Sequence, residues 1–192
     1  YRCFAVVREA SQLDKIQKEY PDDCIPVTGD VTSMETCKKL ASAIEANSGK
    51  LDVLINNAGN VVKKYGFTTT TTEQMREHFE VHVNAVLQLC QVCYPFLKKA
   101  KKGIIINVSS RKGSIDFIYK NHFKSLYPYQ VAKCAQNMLT ASMNKDLNKE
   151  NIFAYSIHPG KLKTSVGPYD ADTSPAESAM KLYEWIINEP DK

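Results

Sequence analysis

Short apolar runs alternate with longer segments of helical periodicity along most of this chain. The apolar runs lie at 3–7, 24–28, 51–55, 103–108 and 152–157. The helical segments lie at 10–20, 32–47, 73–101, 129–148 and 175–188. Several runs are apolar at consecutive positions, which predicts strands that are buried on both faces. Such strands alternating with helices predict an α/β fold: a doubly wound parallel sheet (Rossmann-like) with helices on both sides.

Two helix starts carry a capping signal. Thr32-x-x-Glu35 matches a capping box and predicts that the second helix begins there. The threonine run Thr68–Thr72 is interpreted as a loop that ends in the cap of the next helix.

Length and charge limit the partners. A chain of 192 residues, 43% hydrophobic, suits one domain over 1–192. The formal charge is only +4 and the basic residues are scattered, which argues against nucleic acid and against a basic membrane surface. No apolar stretch approaches the roughly 20 residues that cross a bilayer. We expect neither nucleic acid nor membrane as a partner.

The six cysteines lie inside apolar stretches, which predicts free thiols in a reducing, cytoplasmic setting. Cys90-x-x-Cys93 lies within a predicted helix, and His78 and His82 are spaced to share a face of that helix. These four residues leave a metal-binding or redox protein open as an alternative. No known metal pattern is completed, so ordinary packing is the favoured interpretation, with no metal.

Polar or glycine-containing clusters follow four of the predicted strands. They are Gly29-Asp30, Asn56-Asn57-Ala58-Gly59, Ser109-Ser110 and His158-Pro159-Gly160. In a parallel sheet, ligands bind outside the carboxyl ends of the strands. We therefore expect the four clusters to converge on one rim.

Tyr129-x-x-x-Lys133 is the chemical candidate on that rim. The spacing places an ammonium near a phenol, which favours phenolate and predicts a lowered tyrosine pKa. Tyr94-x-x-x-Lys98 has the same spacing but lies late in a helix that leads away from the rim. Tyr129 follows the loop that carries Ser110, so we prefer it.

The order of these motifs resembles the short-chain dehydrogenase/reductase family. The matching elements, in order, are Asp30-Val31, Asn57-Ala58-Gly59, Asn84, Ser110, Tyr129-x-x-x-Lys133 and Pro159-Gly160-x-Leu162-x-Thr164. The tail Ser165-Val-Gly-Pro168, followed by Thr173-Ser-Pro-Ala-Glu177, resembles the carbonyl-reductase-like and C-factor-like branch. The resemblance covers nearly the whole chain.

The resemblance implies an NAD(P)-dependent oxidoreductase that reduces a carbonyl or oxidises a secondary alcohol. Ser110 binds the substrate oxygen, Tyr129 transfers the proton, and Lys133 tunes the tyrosine and holds the nicotinamide ribose. Asn84 holds a water of the proton relay; alternatively it is a polar helix residue that faces solvent. Ser109 competes with Ser110, and the family pattern favours the second serine.

The same resemblance implies a set of cofactor-binding residues. They are Arg8, Asp30, Val31, Asn57, Ala58, Gly59, Tyr129, Lys133, Pro159, Gly160, Leu162 and Thr164. Arg8 follows the first strand where an acidic residue would bind a free ribose 2′-hydroxyl. An arginine suits a 2′-phosphate, so NADP is favoured over NAD; a solvated surface arginine is the alternative.

The family's glycine-rich first turn and its usual last strand have no counterpart here. In the doubly wound order the absent strand would lie between the first and third strands present, so we expect a sheet incomplete at both ends. We interpret the sequence as a trimmed piece of the domain, and expect it to fold poorly and to bind cofactor weakly as given.

The predicted walls of the substrate pocket are the loop 111–127 and the segment 161–173. Phe117, Ile118, Tyr119 and Phe123 make the first wall aromatic and apolar, which suggests an apolar or aromatic carbonyl substrate. By family resemblance, the helices from 73 and 129 are candidates for a face that joins two copies in a homo-oligomer. A non-catalytic dinucleotide-binding or scaffolding protein is the alternative function.

Overall fold

The computed structural model describes residues 2–61, 66–122, 125–165, 167 and 169–188. Phe123, Val166 and Pro168, which the sequence assigns to a pocket wall and a motif, lie outside the described residues. The strands are β1 (Cys3–Val7), β2 (Cys24–Thr28), β3 (Val53–Asn56), β4 (Gly103–Val108) and β5 (Ile152–Ile157). The helices are α1 (Ala10–Glu19), α2 (Met34–Asn47), α3 (Thr72–Phe79), α4 (Ala85–Leu97), α5 (Ile115–Lys120), α6 (Tyr127–Leu147) and α7 (Pro175–Ile187).

All strand pairs are parallel, but they form two sheets. β1 pairs with β2, and β3, β4 and β5 form the second sheet in that order. Within the described chain, β1 and β3 are therefore edge strands that share no hydrogen bonds with each other. A cavity of about 540 Å³ lies between them, lined by apolar side chains such as Phe4, Val6 and Leu54. The predicted gap between the first and third strands is present.

Helices cover both faces of the strands, as the doubly wound prediction requires. α2, α4 and α6 supply Leu40, Leu89 and Met143 to one core, which packs on Ile105 of β4 and Ala154 of β5. Successive strand residues point to opposite faces. Accordingly Tyr155, next to Ala154, points the other way and meets Trp185 of α7 with ring centroids 4.9 Å apart.

The predicted helix 73–101 contains an irregularity. α3 passes into α4 through a π-helical turn at Glu80–Asn84, where the amide of Ala85 donates to the carbonyl of Glu80. Within this turn His82 is buried and Asn84 is exposed. Hydrophobic periodicity did not predict this turn, because a π-turn adds one residue without altering the composition of the helix.

The two predicted caps have different outcomes. The prediction of a capping box at Thr32 is wrong. Ser33 is the N-cap residue of α2, and the Thr32 hydroxyl donates to the carboxylate of Asp30. The cap within the threonine run is confirmed, since Thr71 accepts from the amide of Gln74 and the Gln74 side chain accepts from the amide of Thr71. Within the described ranges, no helix combines the length and the apolar character needed to cross a membrane.

Candidate active site

A cavity of about 780 Å³ opens at the carboxyl ends of β4 and β5. Ser109 and Ser110 after β4 and Pro159 and Gly160 after β5 line it, together with Tyr129 from α6. Two of the four predicted clusters therefore meet in one site. The cluster after β3 lines the neighbouring cavity through Asn57 and Ala58, and Gly29-Asp30 lines neither of them.

Tyr129 and Ser110 form the polar centre of this cavity. The first turn of α6 carries Tyr129, and its phenol lies beside the Ser110 hydroxyl, which accepts from the amide of Lys112. Burial raises the pKa of Tyr129 above its usual value, and the Ser110 hydrogen bond partly opposes this rise. The sequence predicted a lowered pKa, so the direction was wrong, because burial has the largest effect. A protonated phenol beside a hydroxyl is a proton donor for a carbonyl oxygen.

Lys133 lies one turn after Tyr129 and is only 4% exposed. Its ammonium donates to the carbonyl of Val108 at 2.6 Å and to the side-chain oxygen of Gln136 at 3.0 Å, and lies 5.9 Å from the centroid of the Tyr129 ring. Burial lowers the pKa of Lys133 to about 8. The lysine is thus held at the end of β4, on the tyrosine's side of the cavity.

The two serines after β4 have different neighbours. Ser109 is buried and its hydroxyl donates to the side-chain oxygen of Asn137 at 2.6 Å, which fastens the end of β4 to α6. Ser110 is the serine that lies beside the Tyr129 phenol and lowers its pKa. This geometry favours the predicted assignment of Ser110 as the substrate-facing hydroxyl.

The structure does not bring Asn84 into this group. Its side chain is exposed, and its amide donates to the Glu80 carboxylate at 2.7 Å on the helix surface. In the same π-helical turn the side chain of His82 is buried, as is that of His78 one turn earlier. The placement matches the solvent-facing alternative for Asn84.

The predicted cofactor residues fall into two groups. Pro159, Gly160, Leu162 and Thr164 line the cavity with Tyr129. Gly160 has φ +94°, a left-handed conformation that favours glycine, and Leu162 forms an isolated parallel bridge with Thr173. These backbone features hold the loop after β5 at the cavity edge.

The remaining cofactor residues surround the ends of β1, β2 and β3. Val31, Asn57 and Ala58 line the cavity between the two sheets. Asp30 accepts from the amide and the hydroxyl of Thr32, and these hydrogen bonds hold the pKa of Asp30 below its usual range, with a smaller effect from Arg8. Arg8 is exposed beside that turn.

Two features of the site were not predicted from the sequence. A buried hydrogen-bonded row joins the strands to α6: Asn56 donates to Asn107, and Asn107 donates to Thr140. Its sequence signal is an asparagine near the end of each of two apolar strands. The second feature is His82, whose ring meets the Tyr129 ring edge-on at 5.6 Å.

The cysteines and histidines of the metal or redox alternative are packed in the core. Burial raises the pKa of Cys90 and of Cys93 to about 12, so both remain protonated thiols. All six cysteines are free. Among the described residues, no group of three or more histidine, cysteine or acidic side chains is arranged to hold a metal ion.

Comparisons with known proteins show the family of this chain. Residues 1–174 match the family model described as short chain dehydrogenase. Carbonyl reductase (NADPH) 2 of Sus scrofa is 30% identical over 184 residues, which are 95% of this chain and 70% of the pig protein. The C-signal protein of Myxococcus xanthus is 30% identical over 73% of this chain and 82% of its own length. The NADPH-bound carbonyl reductase from chicken fatty liver superimposes with a TM-score of 0.87 at 30% identity, covering 96% of this chain and 79% of that one.

Proposed function

The chain belongs to the short-chain dehydrogenase family, and we propose that it acts as an NADP-dependent carbonyl reductase with Tyr129 as the proton donor. The observation that carries the proposal is that Ser110 and Tyr129 line one cavity and that the buried Lys133 ammonium lies 5.9 Å from the centroid of the Tyr129 ring. The hydroxyl can bind the substrate oxygen, and the protonated phenol can supply the proton to it. The buried ammonium places a positive charge near the phenol.

The nicotinamide ring supplies the hydride when NADPH is bound. Ser110 donates a hydrogen bond to the substrate carbonyl oxygen and orients it toward Tyr129. The phenol then gives its proton to that oxygen as negative charge develops there. Lys133 stabilises the phenolate that remains, since its ammonium is within about 6 Å of the ring.

Two observations support a dinucleotide at this edge. Gly160, in a left-handed conformation at the cavity edge, has no Cβ, so a ligand can approach the backbone closely there. Arg8, exposed at the end of β1, supports NADP over NAD because it suits a 2′-phosphate. The NADPH in the chicken carbonyl reductase supports the same choice.

We propose an apolar or aromatic carbonyl compound as the substrate. Phe117 and Tyr169 line the cavity on opposite segments, the predicted loop and the segment after β5. The cations Arg111, Lys112 and Lys161 line the same cavity, so a substrate with a negatively charged group is also compatible with its walls. A panel of substrates must therefore include acidic members.

Two further observations support proposals about the cellular compartment and the oligomeric state. Six free thiols support a reducing compartment such as the cytoplasm. Leu87 of α4 and Val131 and Met138 of α6 are exposed apolar side chains on the helices expected to join two copies. They support a homo-oligomer through that face.

The test is NADPH oxidation by the complete gene product with aldehydes, ketones, quinones and keto acids. We expect turnover with at least one class, a loss of at least 10³-fold in kcat for Tyr129→Phe, and NADPH affinity within about threefold of wild type. Tyr94→Phe, the other tyrosine with the same lysine spacing, is the matched control and is expected to keep full turnover. NADPH binding without turnover of any compound would favour a non-catalytic dinucleotide-binding or scaffolding protein.

A further inference from the structure

His82 occupies the inward position of the π-helical turn between α3 and α4. Its side chain is 1% exposed, and its ring meets Tyr129 edge-on with an interplanar angle of 83°. A π-helical turn in the middle of a helix is uncommon and occurs often at functional sites. Here the turn contains Asn84, which faces outward, and His82, whose imidazole packs edge-on against the Tyr129 ring.

The hydrogen bond of His82 fixes its tautomer. The Nε2 atom lies 3.0 Å from the carbonyl oxygen of Asn60, which can only accept. Nε2 therefore carries the hydrogen, and Nδ1 is an acceptor in the neutral ring. Burial, with a smaller effect from the nearby Lys133 cation, lowers the pKa of His82 to about 4. The ring is thus neutral under ordinary conditions.

The same imidazole packs against the loop that follows β3. A Cβ atom placed on Gly59 would lie 2.8 Å from Cε1 of His82, so the ring and the backbone are already in close contact. The ring consequently touches Gly59 and Asn60 on one side and Tyr129 on the other. It is the side chain that links the loop after β3 to the proton donor.

His78, one turn earlier, is an internal comparison. It is also 1% exposed, and its ring lies 6.0 Å from that of His82. Its Nδ1 atom bonds the carbonyl of Gln74 within its own helix, at 2.9 Å. Two buried histidines therefore differ in what they hold: His78 bonds its own helix, whereas His82 bonds the loop beside the active site.

We propose that His82 is a positioning residue of the proton-transfer site, which fixes the loop after β3 and the Tyr129 ring relative to each other. His82, rather than the predicted Asn84, is thus the residue of this helix that lies beside Tyr129. The effect on turnover depends on the proposed function, whereas the effect on the loop does not.

The kinetic test uses the complete gene product with His82→Phe, His82→Asn and His78→Phe, each normalised to the concentration of NADPH-binding sites. His82→Phe keeps a ring but loses the donor to Asn60, and kcat is expected to fall about 10- to 100-fold, as for a lost buried hydrogen bond. His82→Asn restores an N–H donor and is expected to recover kcat to within about fivefold. His78→Phe is expected to stay within about threefold. Equal losses in His82→Phe and His78→Phe, or none in His82→Phe, would overturn the proposal.

The loop test needs no turnover. Amide hydrogen exchange of residues 57–60 is expected to accelerate at least tenfold in His82→Phe and to stay unchanged in His78→Phe. Unchanged exchange in both variants would refute the link between His82 and the loop. If the wild type reduces no carbonyl compound while exchange responds as expected, the proposed function fails and the positional role of His82 stands.

Discussion

Replacement of Gly59 by alanine tests how closely the loop after β3 packs on the site. The new Cβ would lie 2.8 Å from Cε1 and 3.4 Å from Nδ1 of His82. Carbon atoms in contact are about 3.5 Å or more apart, so the ring or the loop must move by about 0.7 Å. His82 is buried and bonded to Asn60, which leaves little room for that movement.

Overpacking of this kind costs about 1–3 kcal/mol. With a urea dependence of about 2 kcal/mol per molar, the midpoint of unfolding of the complete gene product is expected to fall by about 0.5–1.5 M at an unchanged slope. Gly66→Ala is the matched control, because among the described residues its Cβ would meet only the Thr69 hydroxyl, at 3.8 Å. That variant is expected to change stability by about 0.5 kcal/mol or less.

A double-mutant cycle identifies the cause. If the clash is with the imidazole, His82→Ala creates the space that the added methyl group needs, and the cost of Gly59→Ala becomes smaller in that background. We expect a coupling free energy of about 1 kcal/mol or more. Additive effects, or a Gly59→Ala variant as stable as Gly66→Ala, would refute the described packing.

Three further predictions concern the same part of the molecule. Gly113→Ala places a Cβ 2.8 Å from the backbone carbonyl carbon of Lys133. Because backbone moves less easily than a side chain, we expect chemical denaturation to show a free energy of unfolding lower by about 3 kcal/mol. A decrease of less than about 1 kcal/mol would contradict this contact. The folded pKa of His82, about 4, is below the 6.5 of an unperturbed histidine, so the unfolded chain binds the proton first as pH falls. The titration of His82 should therefore remove about 3 kcal/mol from the free energy of unfolding between pH 6.5 and 4. His82→Phe, measured in parallel, should show a drop smaller by that amount, and equal drops would show that His82 does not titrate this way. Asn84→Ala, at an exposed position, should change kcat/KM by less than about threefold in steady-state assays, and a hundredfold loss would restore Asn84 to the site.

The fold class was predictable because parallel strands buried on both faces have a simple sequence signal. The ends of the five strands lie within two residues of the predicted ranges. β1 and β3 do not pair with each other, as predicted from the position of the absent strand in the doubly wound order. The convergence of Ser110, Tyr129 and the segment 159–164 followed from the rule that loops at the carboxyl ends of strands share one edge.

The errors arise where the surroundings of a side chain in the folded chain decide its role. The assignment of Asn84 rested on the order of motifs, whereas His82 is the residue that lies beside Tyr129. The i,i+4 spacing of His78 and His82 had already indicated a shared helix face, and both are buried. The pKa direction of Tyr129 was wrong because the sequence gives the spacing to Lys133 but not the extent of burial, which has the larger effect. The cap of α2 was displaced because Asp30 competes for the Thr32 hydroxyl.

The most direct test of the central claim is isotope transfer. The complete gene product is given NADPH deuterated at the reactive C4 position and the best carbonyl substrate of the panel, and the product is analysed by mass spectrometry and NMR. The account predicts an alcohol with one deuterium on the former carbonyl carbon, formed by wild type and lost in Tyr129→Phe. An alcohol without deuterium, or equal deuterium transfer by Tyr129→Phe, would contradict the proposed mechanism.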